Sequence, residues 1–137
     1  MTRSSGKAHI IRAAVESIAY QIRDCIELMQ AESSIKLQVL RADGGAIGNS
    51  RLMQFQADML QAAVVTSEFP ELSAMGAVFL GGLGVGFWSS LAEIEGLLSQ
   101  PQVYEPAMAP ELSEQYYQGW KHAVSSVLTS NTKENVS

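Results

Sequence analysis

The stretch Leu40-Arg41-Ala42-Asp43-Gly44-Gly45-Ala46-Ile47-Gly48-Asn49-Ser50 decides how this chain is read. Just before it, residues 35–40 (Ile-Lys-Leu-Gln-Val-Leu) alternate apolar and polar, as a half-buried strand does. Gly44-Gly45 permits positive φ and lets backbone N–H groups come close to a phosphate. Asn49-Ser50 then supplies a helix cap. Leu52, Met53, Phe55, Gln56, Met59 and Leu60 follow at helical spacing, so a helix is expected over residues 50–61. A loop between a strand's C-terminal end and a helix's N-terminus is where open α/β sheets bind ligands, nucleotides among them. A turn of this form can also be only a tight connection, and these residues alone leave both readings open.

Outward from the loop the chain alternates between α and β patterns. Residues 7–31 predict a long helix, with Ile11, Ala14, Ile18, Ile22, Cys25 and Met29 on the face expected to be buried and Arg12, Glu16, Arg23, Asp24 and Glu27 on the other. Ala63-Val64-Val65-Thr66 reads as a second short strand, and Phe69-Pro70 as the turn into the next helix. Residues 99–110 read as a proline-containing linker. A last amphipathic helix is expected through Tyr116, Trp120, Val124 and Val127, followed by a polar, frayed tail. Trp88 and Trp120 are expected to pin the C-terminal helices to the core.

Composition narrows the function classes. The chain has 137 residues, 47% hydrophobic and 17% charged, which is ordinary for one globular α/β domain. Its net charge of −5 and nine scattered Lys and Arg leave no basic stripe for a nucleic acid. No signal peptide is visible and Cys25 has no partner for a disulfide, which together suit a reducing, cytoplasmic compartment; the thiol itself is expected in the core or at its boundary. His9 and His122 lack ligand-spaced neighbours, so no metal site is expected, and Glu93 and Glu95 do not form a catalytic pair.

The run over residues 74–88 contains no polar side chain. As a helix it reaches about 22 Å, short of a hydrocarbon core of about 30 Å, so a buried core helix is expected and not a membrane span. Its glycines, Gly76, Gly81, Gly82, Gly84 and Gly86, would each cost about 1 kcal/mol against alanine in a helix, and propensity alone suggests a strand feeding a phosphate loop. The spacing Gly82-x-Gly84-x-Gly86 fits neither GxGxxG nor a Walker motif.

Three ordered blocks carry a resemblance. Asp43-Gly44-Gly45-Ala46, Asn49 and the following Leu52-Met53-Gln54-Phe55-Gln56-Ala57-Asp58 resemble the adenosine motif of the FGGY carbohydrate kinases, in the form seen in glycerol kinases. The block from His9 to Tyr20 is similar to the second half of that family's C-terminal signature. Ser73-Ala74-Met75-Gly76-Ala77, with Gly86-Phe87-Trp88, resembles the helix after the adenosine loop, whose glycines would pack closely against the sheet and that loop.

The resemblance implies an α/β fold, an incomplete actin-like (ribonuclease H-like) ATPase domain with about two parallel strands, four to five helices on both faces and no antiparallel meander. Residues 1–130 would be the C-terminal part of the kinases' C-terminal domain and 131–137 a polar tail. It also implies phosphoryl transfer from Mg-ATP to a sugar or polyol hydroxyl. This chain would supply the ATP side: the backbone N–H of Gly45 towards the α-phosphate, the side chain of Asn49 towards adenine, and Gly44 and Ala46 as pocket wall. No catalytic residue is expected in it, because the family's Asp-x-Gly-Thr-Thr phosphate loop and catalytic aspartate lie upstream of the matched region, with most of the Mg2+ contacts. The chain is therefore expected to be a fragment that self-associates or joins a missing N-terminal half; the alternative is a stand-alone, non-catalytic remnant acting through nucleotide or protein binding.

Overall fold

The computed structural model describes the backbone of residues 6–67, 72–95 and 101–134. The expected turn at Phe69-Pro70, the start of the linker at Ser99 and the last residues of the tail fall outside that part. In order, the elements are α1 (Lys7–Ser33), β1 (Val39–Ala42), a single 3-10 turn (Gly45–Gly48), α2 (Ser50–Leu60), β2 (Ala63–Thr66), α3 (Leu72–Gly84), α4 (Leu91–Glu95), β3 (Gln102–Tyr104) and α5 (Pro110–Glu134). The last helix thus runs through the first residues of the segment expected to fray.

The expected parallel pair is present, with Leu40 opposite Val64 and Ala42 opposite Thr66. β1 is shorter than its alternation suggests, because β2 offers only four residues to pair with and Ile35 stays exposed in the approach. A third strand lies inside the segment read as a linker: β3 pairs antiparallel with β2, Tyr104 opposite Val64. Flanked by Pro101 and Pro106, three residues are too few to show a period of two. β1 and β3 are therefore the two edges of a sheet ordered β1-β2-β3.

Alternation gives the sheet one packed face. Leu40, Ala42, Val64 and Tyr104 join Ala19 of α1 and Leu52, Met53, Ala57 and Met59 of α2 in the core. Val39 and Val103, on the opposite face, are exposed. The helices that build this core, α1 and α2, lie on one face of the sheet, in contrast to the expected covering of both faces.

α1 is helical as expected but presents a different face. Its core contribution comes from Val15, Ala19 and Tyr20, while Ile11, Ile18, Cys25 and Met29 are exposed. The reason is α5, which offers polar partners that periodicity ignores. Tyr117 Oη donates to Asp24 Oδ1 at 2.6 Å, Trp120 Nε1 donates to Asp24 Oδ2 at 2.8 Å, and the Arg23 guanidinium lies 3.9 Å from the centre of the Tyr117 ring. Burial first, then the hydrogen bond to Asp24, raises the Tyr117 hydroxyl above the usual tyrosine range, so it remains a donor. Trp120 also stacks on Tyr20, ring centres 5.5 Å apart, and pins α5 to α1 as expected.

α3 is a helix despite its glycines, but it is not buried. Leu80, Val85 and Phe87 are 69%, 83% and 75% exposed. Close approach occurs only at Gly82, where a Cβ would lie 2.0 Å from the Trp88 ring. Gly76, Gly81 and Gly84 have nothing within 4 Å of such an atom, so the expected packing of the glycines on the sheet and loop is not seen. The Phe87 N–H bonds back to Gly82 O at 2.7 Å and Gly86 takes φ +76°, a glycine-dependent helix stop that folds Trp88 onto the helix. No helix among the described residues is long and apolar enough to cross a membrane.

The C-terminal end of α2 is tied to the segment that follows β3. The buried Asp58 Oδ1 accepts from Ala107 N at 2.7 Å, Met108 N at 3.0 Å and Gln54 Nε2 at 3.2 Å. Asp58→Ala leaves two backbone donors without an acceptor and should lower the unfolding free energy by about 2–4 kcal/mol, whereas Asp58→Asn keeps an acceptor and should cost about 1 kcal/mol. Urea denaturation followed by circular dichroism measures both; equal losses would show that the carboxylate's acceptor role is not what matters.

Candidate functional site

The loop from Asp43 to Asn49 connects the C-terminal end of β1 to the N-terminus of α2, as expected. Gly44 takes φ +86°, a conformation costly for any residue with a Cβ. This turns the chain into the 3-10 turn, closed by Ile47 N to Gly44 O at 3.2 Å and Asn49 N to Ala46 O at 3.1 Å. Among the described residues no acceptor takes the N–H of Gly45 or Ala46. A Cβ at Gly45 would meet nothing within 4 Å, so the space over that amide is open. Adjacent unpaired N–H groups at the start of a helical turn form an anion-accepting concavity.

Asn49 is the N-cap of α2, its Oδ1 accepting the Leu52 N–H at 3.1 Å. One lone pair of the amide oxygen is thereby committed to the helix, and the Nδ2 donor is left to face a ligand. The two roles given to this residue by sequence, helix cap and base contact, are compatible on those terms. Gly44, Gly45, Ala46 and Asn49 thus lie together on one loop; Gly44 shapes it, and Gly45 and Ala46 hold the open donors.

Two cavities flank the loop. One of about 260 Å³ lies at the ends of the parallel strands, lined by Arg41, Ala42, Asp43, Val65, Thr66, Ser67 and Pro101. The other, about 620 Å³, is a cleft between the N-terminal halves of α1 and α2, where Ile11, Val15, Leu52 and Phe55 are joined by Arg12, Glu16, Arg51 and Asn49. Sequence reading did not single out this cleft. Its residues come from two helices in four-residue steps, Ala8-Arg12-Glu16 and Arg51-Phe55, which could have signalled one mixed face on each. Arg12 Nε donates to Glu16 Oε1, and that ion pair holds the guanidinium charged. The described residues contain no group of three or more His, Cys, Asp or Glu side chains suited to a metal ion. Glu93 is occupied in capping, accepting from Ser89 N at 2.9 Å and Ser89 Oγ at 2.8 Å.

Known proteins share this fold and much of this sequence. The model of the FGGY family of carbohydrate kinases, C-terminal domain, matches residues 1–85, and the chain belongs to that family. The glycerol kinase of Desulfitobacterium hafniense is 49% identical over 128 residues, which is 93% of this chain and 26% of that protein. The glycerol kinase of Aliivibrio fischeri (strain MJ11) is 52% identical over 124 residues, 90% of this chain and 25% of that protein. The chain spans about a quarter of the length of the curated relatives it matches. Among solved structures, Plasmodium falciparum glycerol kinase with ADP superposes with a TM-score of 0.75 at 32% identity, over 92% of this chain and 25% of that one. Xylulose kinase from Rhodospirillum rubrum shares the fold, with a TM-score of 0.69 at 21% identity over 94% of this chain and 26% of that one. The architecture is therefore the actin-like α/β fold of these kinases, represented among the described residues by five α-helices and a three-stranded sheet.

Asn49→Ala should remove the cap and lower stability by about 1 kcal/mol, while Asn49→Asp, which keeps an acceptor for Leu52 N–H, should preserve it. Thermal melting of the two variants checks this; equal melting temperatures would show that the cap contributes nothing.

Proposed function

We propose that this chain forms the ATP-binding side of a glycerol kinase-like carbohydrate kinase, an enzyme passing the γ-phosphoryl group of ATP to a sugar or polyol hydroxyl in the cytoplasm. The observation that carries this reading is the pair of open amides at Gly45 and Ala46, on the strand-to-helix loop of a chain that belongs to a kinase family. The relatives named glycerol kinase support the substrate class, and the Plasmodium kinase solved with ADP supports the nucleotide.

In this reading the Gly45 N–H donates to an α-phosphate oxygen, the neighbouring Ala46 N–H adds a second dipole, and Gly44 holds the turn that aims both. Asn49 offers Nδ2 to the base. Mg2+ would neutralise charge on the phosphates when bound; none of the described residues is assigned to it. The rest of the transfer, holding the γ-phosphate and the acceptor hydroxyl in line, belongs to parts of a complete kinase that this chain does not match. The chain's partner is then the remainder of such a kinase. The apolar surface of α3, with Leu80, Val85 and Phe87, and the free edge of β1 are the surfaces it would cover. A stand-alone role through protein contacts is weaker, because it gives the open Gly45 and Ala46 amides nothing to bind.

The test is complementation. The chain alone should release no ADP in a coupled assay with ATP and glycerol. Mixed with the upstream three-quarters of the Desulfitobacterium glycerol kinase, it should restore glycerol-dependent ADP release. Gly45→Val should fold normally and weaken ATP, ADP and AMP alike by about 10- to 100-fold, the range expected for losing a hydrogen bond to a charged group. Unchanged nucleotide affinity in Gly45→Val would reduce the loop to a connection, and failure of every mixture to turn over would contradict the kinase role.

A further inference from the structure

α1 carries an apolar stripe that the core does not use. Ile11, Val15, Ile18, Ile22, Cys25 and Met29 follow one another in alternating steps of four and three residues, the 3.5-residue period of a helix that lies along a second helix. From Ile11 to Met29 the stripe runs about 27 Å. The core takes the neighbouring face of α1, through Ala19, and α5 takes the side of Arg23 and Asp24. Ile11, Ile18 and Met29 are left 53%, 43% and 63% exposed and Cys25 is exposed, while Val15 and Ile22 are half-buried.

The charges at the two ends of the stripe say what fits it. Lys7 lies at the first turn of α1 and Glu32 at the last, both exposed, and neither joins an ion pair among the described residues. No Asp, Glu, Lys or Arg interrupts the six positions between them. A second copy of α1 laid antiparallel matches this pattern. With Ile18 beside the partner's Ile22 at the centre, Ile11 faces the partner's Met29, Val15 faces the partner's Cys25, and Lys7 stands by the partner's Glu32. Opposed helix dipoles favour the same orientation. A parallel pair would instead set Lys7 against Lys7 and Glu32 against Glu32.

We propose that α1 is a self-association surface, through which two copies of this chain pair as antiparallel helices across a two-fold axis, with a Lys7–Glu32 ion pair at each end. The loop from Asp43 to Asn49 contributes no residue to this surface, so the pairing is independent of the nucleotide reading.

Sedimentation equilibrium of the whole chain should show a reversible monomer–dimer equilibrium. Ile18→Glu, at the centre of the stripe, and Met29→Glu, at a position already exposed, should each keep the circular dichroism of the wild type and raise the dimer dissociation constant at least about tenfold, because each buries an unpaired carboxylate. Lys7→Glu should weaken the dimer about threefold, and Lys7→Glu combined with Glu32→Lys should restore it, which reports the orientation. A wild-type chain that stays monomeric at every concentration overturns the proposal, as do glutamate variants that dimerise as the wild type does. A Lys7→Glu variant that dimerises more tightly than the wild type would mean a parallel pair and overturns it too. A monomeric wild type whose Ile18→Glu form no longer complements the upstream kinase segment would assign the stripe to that segment instead, against the proposal.

Discussion

Asp58 is the one charged side chain among the buried residues of α2, and the fold depends on how it is satisfied. An unpaired carboxylate there would be strongly unfavourable. The backbone amides of Ala107 and Met108 satisfy it, so the segment between β3 and α5 must pass over the C-terminal end of α2. Gln54 and Gln61 reinforce the path by donating to the carbonyls of Glu105 and Met108 at 2.8 and 3.1 Å. Fixing that segment places Tyr104 in the core beside Val64 and starts α5 where Tyr117 and Trp120 can reach Asp24. A polar clamp at one end of α2 thus organises both the sheet edge and the α1–α5 seam.

The other end of the same helix carries the candidate loop, Asp43 to Asn49. α2 is held by core contacts along Leu52, Met53, Ala57 and Met59, so its N-terminus, the Asn49 cap and the turn before it are fixed before any ligand arrives. Amides that point outward from a fixed turn need little reorganisation to bind an anion. Site and fold are in this sense one object: the burial that stabilises α2 also aims Gly45, Ala46 and Asn49.

How much of this the sequence shows depends on the kind of signal. α2 and β2 were legible because their partners are apolar and their periods are undisturbed. The helical nature of α1 was legible too, but its buried face was not, since Arg23 and Asp24 turn inward to aromatic residues some 90 positions later, a pairing no local pattern carries. β3 is too short to show a period. For α3 the apolar run predicted burial, but the run lies exposed along Val78, Leu80 and Val85, because no other described element packs over that face. Gly44 stood out because its positive φ requires glycine, and Asn49 because the start of α2 needs a side-chain cap.

Amide hydrogen exchange on the chain, with and without saturating ATP, tests the central claim that a core around α2 holds a nucleotide loop ready. The amides of α2 and β2 should exchange slowest and be insensitive to ATP, α3 should exchange fast, and Gly45 and Ala46 should slow sharply when ATP is added. A loop that exchanges identically with and without ATP, or an α2 that exchanges as fast as α3, would contradict the account.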